Sequence, residues 1–291
     1  MTSQNNKSSF IDFSDDSNSR SSLQGCSSQD MFGDETSSRD EVQLPTGAAI
    51  KVNFKSIPIV PNVAVKEKII FCIDNSHDKG IGYLFGSTET NSSEPPPCAV
   101  RNAAINVFIT NKLAIARETE FAIASVAQGG FKWHSQLTSD VKALVNLLPK
   151  LENEEKEAEC STEFDLTPIF SNVLNLTTLP ELFKVRIVPP NFVVRVVLVY
   201  SNSYIEPKIN VTDASYIKFI TSPFCVLDVF YLHERQTDFN NVELIFKSLG
   251  KIVSPSSYIF ESSRNVTKIF NNMAKLLAHP YQRVNQPLWE F

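Results

Sequence analysis

Nine consecutive residues, Phe192 to Tyr200, read FVVRVVLVY, and nearly every one is apolar or β-branched. A strand with one wet face alternates apolar with polar, so an unbroken run belongs inside a sheet covered on both sides. Sheets covered in this way are mostly parallel, and parallel neighbours need crossover helices rather than tight hairpins. The rest of the chain supplies such parts. Residues 68–73 (KIIFCI) form a buried strand ending at Asp74, and 120–127 a further one turning at Gly129 and Gly130. Residues 224–232 give another strand, and 258–260 an edge strand. Helices fall between them: 98–113, with Ala99, Ala103, Val107 and Phe108 on one face, then 164–176, 214–221, 242–249 and 266–277, stopped by Pro280. Val141, Leu144, Val145, Leu148 and Leu151 recur at helical spacing behind Thr138-Ser139-Asp140 as a cap. Strands alternating with helices define an α/β doubly wound domain with a mostly parallel sheet, expected over residues 61–279.

The net charge of −5 is not spread evenly. Residues 1–45 hold eight acids against three bases, and twelve serines, which leaves the remainder balanced. Residues 1–60 are therefore expected to be a disordered, Ser-rich acidic tail, because they bury too little apolar surface to offset chain entropy. A balanced domain has no basic face for phosphates, which excludes nucleic acid as a partner. No apolar run approaches about 18 residues, so no membrane span is expected. The start, MTSQNNKSSF, lacks the basic and apolar stretches of a signal peptide. Five scattered cysteines without C-x-x-C spacing argue against a disulfide framework or a cysteine zinc site and imply a reducing compartment.

Ligands of open α/β sheets sit beyond the carboxyl ends of the strands. The exit of the first strand, Asp74-Asn75-Ser76-His77-Asp78, is the place to look. Asp-x-Ser here resembles the opening of the metal-ion-dependent adhesion site of von Willebrand A domains. That site holds magnesium through a carboxylate and hydroxyls from three loops, the oxygen set that hard cations require. The family pattern is D-x-S-x-S, then a threonine, then an aspartate after the central strand. Asp78 replaces the second serine, Thr162 is a plausible second-loop match, and Ser201 stands where the third-loop acid belongs. With that anion gone the site reads as degenerate, with Asp74 and Ser76 organising loops; no metal or cofactor is expected. Gly80-Ile-Gly82-Tyr-Leu-Phe-Gly86 is separated from its strand by a loop, and no helix follows it, so it fails as a dinucleotide fingerprint. The four histidines form no metal or catalytic pattern, and Cys72 reads as a small buried filler. Asp228, mid-strand, is a buried carboxylate that needs partners, with structural hydrogen bonding its expected job.

The chain end is the clearest signal for a partner. After Pro280 it carries Tyr281, Arg283, Pro287, Leu288, Trp289 and Phe291, and aromatic and arginine side chains dominate interface hot spots. Packing back onto its own domain is the alternative use for such a segment.

The blocks MAKLLAHPYQR, KIIFCIDNS, QLTSDVKAL, PPNFVVRVVLVYS and FCVLDVFYLH, in that setting from Val63 to Arg283, resemble the MERIT family. This is the von Willebrand A-like scaffold subunit of the BRISC deubiquitinase complex and of a related nuclear BRCA-A complex acting in the DNA damage response. The resemblance implies a non-enzymatic subunit, cytoplasmic and nuclear. Its assembly would contain a zinc JAMM deubiquitinase that cuts polyubiquitin of one linkage, and an Abraxas-type scaffold. The third partner is a BRE-type subunit built from ubiquitin-conjugating-enzyme-like folds. The family's C-terminal segment docks on BRE, a role carried onto His279, Pro280, Gln282 and Arg283, and by adjacency onto Tyr281 and the last eight residues. Val284 stands where the family has proline. The alternative function is a divalent-metal-dependent ligand-binding von Willebrand A module.

Overall fold

A computed structural model describes residues 65–75, 97–127, 130–151, 163–179, 190–254, 256–263, 265–284 and 286. In chain order the elements are β1 (Lys66–Asp74), α1 (Pro97–Ile115), β2 (Glu120–Ala127), β3 (Gly130–Trp133) and α2 (Val141–Leu151). There follow β4 (Phe164–Asp165), α3 (Thr167–Leu176), β5 (Phe192–Tyr200), β6 (Pro207–Lys208) and α4 (Ala214–Thr221). The chain closes with β7 (Cys225–Leu232), α5 (Val242–Gly250), β8 (Ile259–Ser262) and α6 (Val266–Lys275). Six strands make one sheet in the order β3-β2-β1-β5-β7-β8, and β4 pairs with β6 alongside. Every pairing in the main sheet is parallel except β2 with β3, so the expected doubly wound architecture is the one observed.

The run in β5 takes the central place its composition demands. Val194, Val196 and Leu198 point to one face, packing with Ile169, Phe170, Phe219 and Ile245 of α3, α4 and α5. Val197 and Val199 point to the other, against Phe108, Leu144 and Met273 of α1, α2 and α6. Each such side chain contributes roughly 1.5–3 kcal/mol on burial, so the two-faced strand anchors both layers. Helix starts are fixed locally. The carboxylate of Asp213 accepts from Ser215 N and Tyr216 N at 2.8 and 3.0 Å, and Asp140 Oδ1 accepts from Ala143 N at 3.1 Å, the cap expected from the sequence.

Two expectations change, and one short strand is added. On α1 the buried stripe is Val100, Ala104, Ile105, Phe108 and Ile109, whereas Ala103 and Val107 face outward; the stripe is rotated by one residue because the helix must also turn Arg101 and Lys112 inward. Residues 164–176 are not one helix, since Phe164 and Asp165 first pair with Pro207 and Lys208, and Asp165 Oδ1 then receives Thr167 N at 2.9 Å. The turn after β2 leads into an antiparallel strand, entered by Gly130 at φ 116°, a conformation that a side chain would strain. Among the described residues no helix is long and apolar enough to cross a membrane.

Candidate functional site

At the carboxyl ends of the strands, Asp74 closes β1 with its carboxylate almost fully buried. Asp74 Oδ2 accepts from Ser201 N at 2.8 Å and Asn202 N at 2.9 Å, so the loop after β5 delivers two main-chain donors where the adhesion-site pattern would deliver an acid. Asn202 turns its own Oδ1 back onto Tyr204 N and Ile205 N, at 2.9 and 2.8 Å, which spends that side chain on shaping the loop. On the other side, the buried Arg101 guanidinium donates to Asp74 O at 3.1 Å. A hard dication needs several oxygens and net negative charge. The described donor set has one carboxylate occupied by two amides, with a cation beside it, and does not fit such an ion. Among the described residues no group of three acid, histidine or cysteine side chains converges to hold a metal. Ser76, Asp78, Thr162 and the glycines at 80, 82 and 86 lie outside the described residues. What the arrangement does is splice the end of β1 to the β5 loop.

The opposite end of the sheet holds a larger construction, and most of it escaped the sequence reading. Arg195 of β5 is fully buried. Its Nε donates to Asp228 Oδ2 at 2.7 Å and its Nη1 reaches Glu67 Oε2 at 3.3 Å, so β1, β5 and β7 are tied by one guanidinium. Glu67 also pairs with Lys112 of α1, whose Nζ donates to Leu277 O at 3.0 Å. Burial lowers the proton affinity of Lys112, and the Glu67 carboxylate opposes that loss. Burial would by itself raise Asp228, but Arg195 and Arg283 outweigh it and hold the carboxyl below its ordinary 3.8.

The C-terminal segment closes on this platform. Arg283 forms a fork with Asp228, Nη1 to Oδ2 at 3.0 Å and Nη2 to Oδ1, and donates to Ser256 O at 2.8 Å. Its guanidinium carbon lies 4.0 Å from the Tyr258 ring centroid, and Tyr258 OH donates to Val284 O at 2.6 Å. His279 has Nε2 3.0 Å from Val65 O, and its Nδ1 accepts from Tyr281 N at 3.2 Å. Those partners select the neutral Nε2–H tautomer. Burial lowers the histidine's proton affinity, against a pull upward from Glu67 and the Val65 carbonyl. Tyr281 OH donates to Pro223 O at 2.7 Å, with burial raising its pKa. Gln286 presents its amide to the outer edge of β8, accepting from Ile259 N at 2.8 Å and donating to Ile259 O at 2.9 Å.

Of the expected partner-binding residues, then, His279, Tyr281 and Arg283 point into their own domain, Pro280 is buried and Gln282 is exposed. Pro287, Leu288, Trp289 and Phe291 lie outside the described residues. Asp228 has the hydrogen-bonding role expected of it, with Tyr258 N at 2.7 Å as a further donor. Cys72 is fully buried in β1 with its thiol pushed far up by burial, as a filler would be. Glu67, Lys112, Arg195 and Tyr258 were not anticipated. The available signal was Arg195 itself, since a charge inside an otherwise apolar two-faced strand requires buried counter-charges.

The strand order, the single antiparallel edge and a first strand ending in Asp-x-Ser define a von Willebrand A-like domain whose described metal-cradle donors are turned to internal bonding. The chain belongs to the MERIT family, that of BRISC and BRCA1-A complex member 1. It is 32% identical over 264 residues to the human protein of that name, covering 86% of this chain and 77% of the relative. The Bos taurus protein is 32% identical over 266 residues (86% and 76%), and that of Xenopus tropicalis 29% over 250 residues (82% and 76%). No family model matches the chain. Solved structures similar to it include the von Willebrand A domain of SpRpn10, 11% identical with TM-score 0.44, covering 77% of this chain and 100% of that one. The von Willebrand factor type A structure from Catenulispora acidiphila is 12% identical with TM-score 0.42, over 75% of this chain and 43% of that one.

Proposed function

We propose that this chain is a non-catalytic scaffold subunit of a BRISC- or BRCA1-A-type assembly, in cytoplasm and nucleus, that docks on a BRE-type subunit through its C-terminal segment. In that assembly an Abraxas-type scaffold and a zinc JAMM peptidase acting on polyubiquitin of one linkage would be its further neighbours. Membership of the family supports the assembly. The observation that carries the docking mode is the burial of Arg283 immediately before Val284, which is 84% exposed. The roles in the segment then divide. His279, Tyr281 and Arg283 clamp the chain to the domain and Gln286 holds the edge of β8, while Gln282 and Val284 are exposed beside the clamp and, with Pro287, Leu288, Trp289 and Phe291, are the residues we assign to the partner. Pre-clamping one end of a binding peptide lowers the ordering cost of docking and so raises affinity without new contacts. The added contact helps hold the assembly together by raising the effective concentration of its members.

The test is co-purification with a BRE-type subunit. Deleting residues 287–291 abolishes capture and leaves thermal unfolding nearly unchanged, whereas deleting 279–291 also destabilises the domain by removing the bonds of His279, Tyr281, Arg283 and Gln286. Full capture by the chain lacking 287–291 would refute docking through the tail. Hydrolysis of diubiquitin by the isolated chain would refute the non-catalytic assignment.

A further inference from the structure

The main sheet ends in two edge strands, β8 and β3, and the chain treats them differently. Val229 N donates to Tyr258 O, so Ile259 and Glu261 turn their N–H and C=O away from β7. Both of these groups on Ile259 are met by the Gln286 amide. Strand β3 is bare by comparison. His134 N donates to Ile123 O at 2.8 Å, which fixes the alternation of the antiparallel ladder. Gly130 and Lys132 turn their main-chain groups to β2, and Phe131 and Trp133 turn theirs outward. No described residue bonds to the outward groups of Phe131 or Trp133. An edge of this kind is a template for a further strand, and folded proteins usually cover or blunt it.

The side chains of this edge sort by face. Phe131 and Trp133, with ring centroids 4.8 Å apart, pack half-buried on the α3 layer beside Leu137 and Leu176. Lys132 alternates to the opposite face, the one that α2 covers, and is exposed. Together β3 and α2 carry Lys132, Lys142 and Lys150, all exposed, and no acid; Asp140 between them caps α2. That pattern selects an occupant. A second copy fits badly, because the two-fold pairing that uses Phe131 and Trp133 of both copies centres on Lys132 and sets it opposite its own double. Like charges directly opposite destabilise a strand pair, and opposite charges stabilise it. A strand reading apolar–acidic–apolar fits instead, its acid facing Lys132 and its apolar residues beside Phe131 and Trp133. The lysine repels its like and attracts its opposite, which gives the edge a preference rather than general stickiness.

We propose that β3 is a second docking edge, which takes an extended apolar–acidic–apolar segment of a partner protein as an antiparallel seventh strand of the main sheet. This stands independently of docking through the C-terminal segment, which none of the outcomes below touches. The test uses the full chain, ¹⁵N-labelled, and an acetylated, amidated octapeptide alternating valine and glutamate. Its counterpart alternates valine and lysine. In the free chain the Phe131 and Trp133 amides exchange at least tenfold faster than that of Lys132. The glutamate peptide gives saturable shifts centred on residues 130–134 and slows exchange at Phe131 and Trp133 several-fold. The lysine peptide binds at least tenfold more weakly, and Lys132→Glu inverts that preference. N-methylation of the valines, which removes the donors facing Phe131 and Trp133, abolishes binding. Phe131 and Trp133 amides as protected as Lys132 in the free chain overturn the proposal: the edge is then covered by the chain itself if protection is independent of concentration, and by a second copy if it grows with concentration. Absence of saturable shifts at β3, equal affinity for the two peptides, or full binding of the N-methylated one overturns it as well.

Discussion

Replacing Asp228 should cost far more than replacing Arg283, although the two form one fork. The buried cluster holds two carboxylates, Glu67 and Asp228, and three cations, Lys112, Arg195 and Arg283. Without Arg283 the remaining four are balanced, Glu67 with Lys112 and Arg195 with Asp228. Arg283→Met therefore removes charge-assisted bonds to Asp228 but leaves its carboxylate with Arg195 and Tyr258 N, a loss of about 1.5–3 kcal/mol. Asp228→Ala leaves three buried cations against one carboxylate and strands two guanidiniums, a loss of about 3–5 kcal/mol. The difference of about 2 kcal/mol is roughly a 30-fold difference in the ratio of folded to unfolded chain. Adding Arg283→Met to Asp228→Ala then removes one of the stranded cations, so the double variant should be no less stable than Asp228→Ala, a coupling of about 1–3 kcal/mol. Urea unfolding of the four full-length proteins, followed by near-ultraviolet circular dichroism, measures all of this. Equal costs for the two single variants, or a double variant equal to their sum, would refute the reading of Arg283 as the surplus charge on a balanced platform.

The clamp should also weaken in acid. His279 has its proton affinity lowered on folding, so its contribution is present above its ordinary value of 6.5 and is lost as pH falls below it, when the unfolded chain takes the proton first. Urea midpoints at pH 7.5 and 5.5 should diverge more in the native chain than in His279→Gln, and identical slopes would remove His279 as the cause. Tyr281→Phe loses the bond to Pro223 O and leaves that carbonyl unpaired, at about 1–3 kcal/mol, or a melting point lower by roughly 2–10 °C; an unchanged melting point would mean that the hydroxyl holds nothing. Asp74→Asn keeps one oxygen acceptor for Ser201 N and Asn202 N and should cost under about 1 kcal/mol, whereas Asp74→Ala strands both amides at about 1–3 kcal/mol each. Saturable magnesium binding by calorimetry, abolished in Asp74→Ala, would contradict the assignment of that carboxylate to loop bracing.

The layers were legible because apolar pattern is a local property. FVVRVVLVY could only be a central strand, and KIIFCID could only lead out at the carboxyl edge. The rotation of α1 was not legible, because it is set by where Arg101 and Lys112 find acceptors, on Asp74, Glu67 and Leu277, residues 27, 45 and 165 positions away in the chain. Strand β3 was hidden for a related reason: four residues, GFKW, carry too little alternation to declare a strand until β2 lies beside them. The exit of β1 was half visible, since the absence of an acid at Ser201 can be read from residue types. That main-chain donors of Ser201 and Asn202 take its place cannot, because every residue has such donors. The His279–Arg283 block was recognised as important, and the direction its side chains face was the part that needed coordinates.

The two ends of the sheet are built differently. In an open parallel sheet the carboxyl ends receive the ligand, and among the described residues that end joins Asp74 to the Ser201 and Asn202 amides with Arg101 alongside. The amino ends, which in such folds serve mainly as foundation, receive the chain's own terminus through Arg283, Tyr281 and His279. Because His279 grips Val65 O at the root of β1 and Arg283 grips Asp228 in β7, force or binding energy applied to the final residues is felt across β1, β5 and β7 through Glu67, Arg195 and Asp228. In the docking we propose, a partner seated on that terminus is coupled to the buried polar network of Glu67, Arg195 and Asp228. It would stabilise the folded chain in proportion to its occupancy, by about 2.7 kcal/mol at a concentration 100 times Kd.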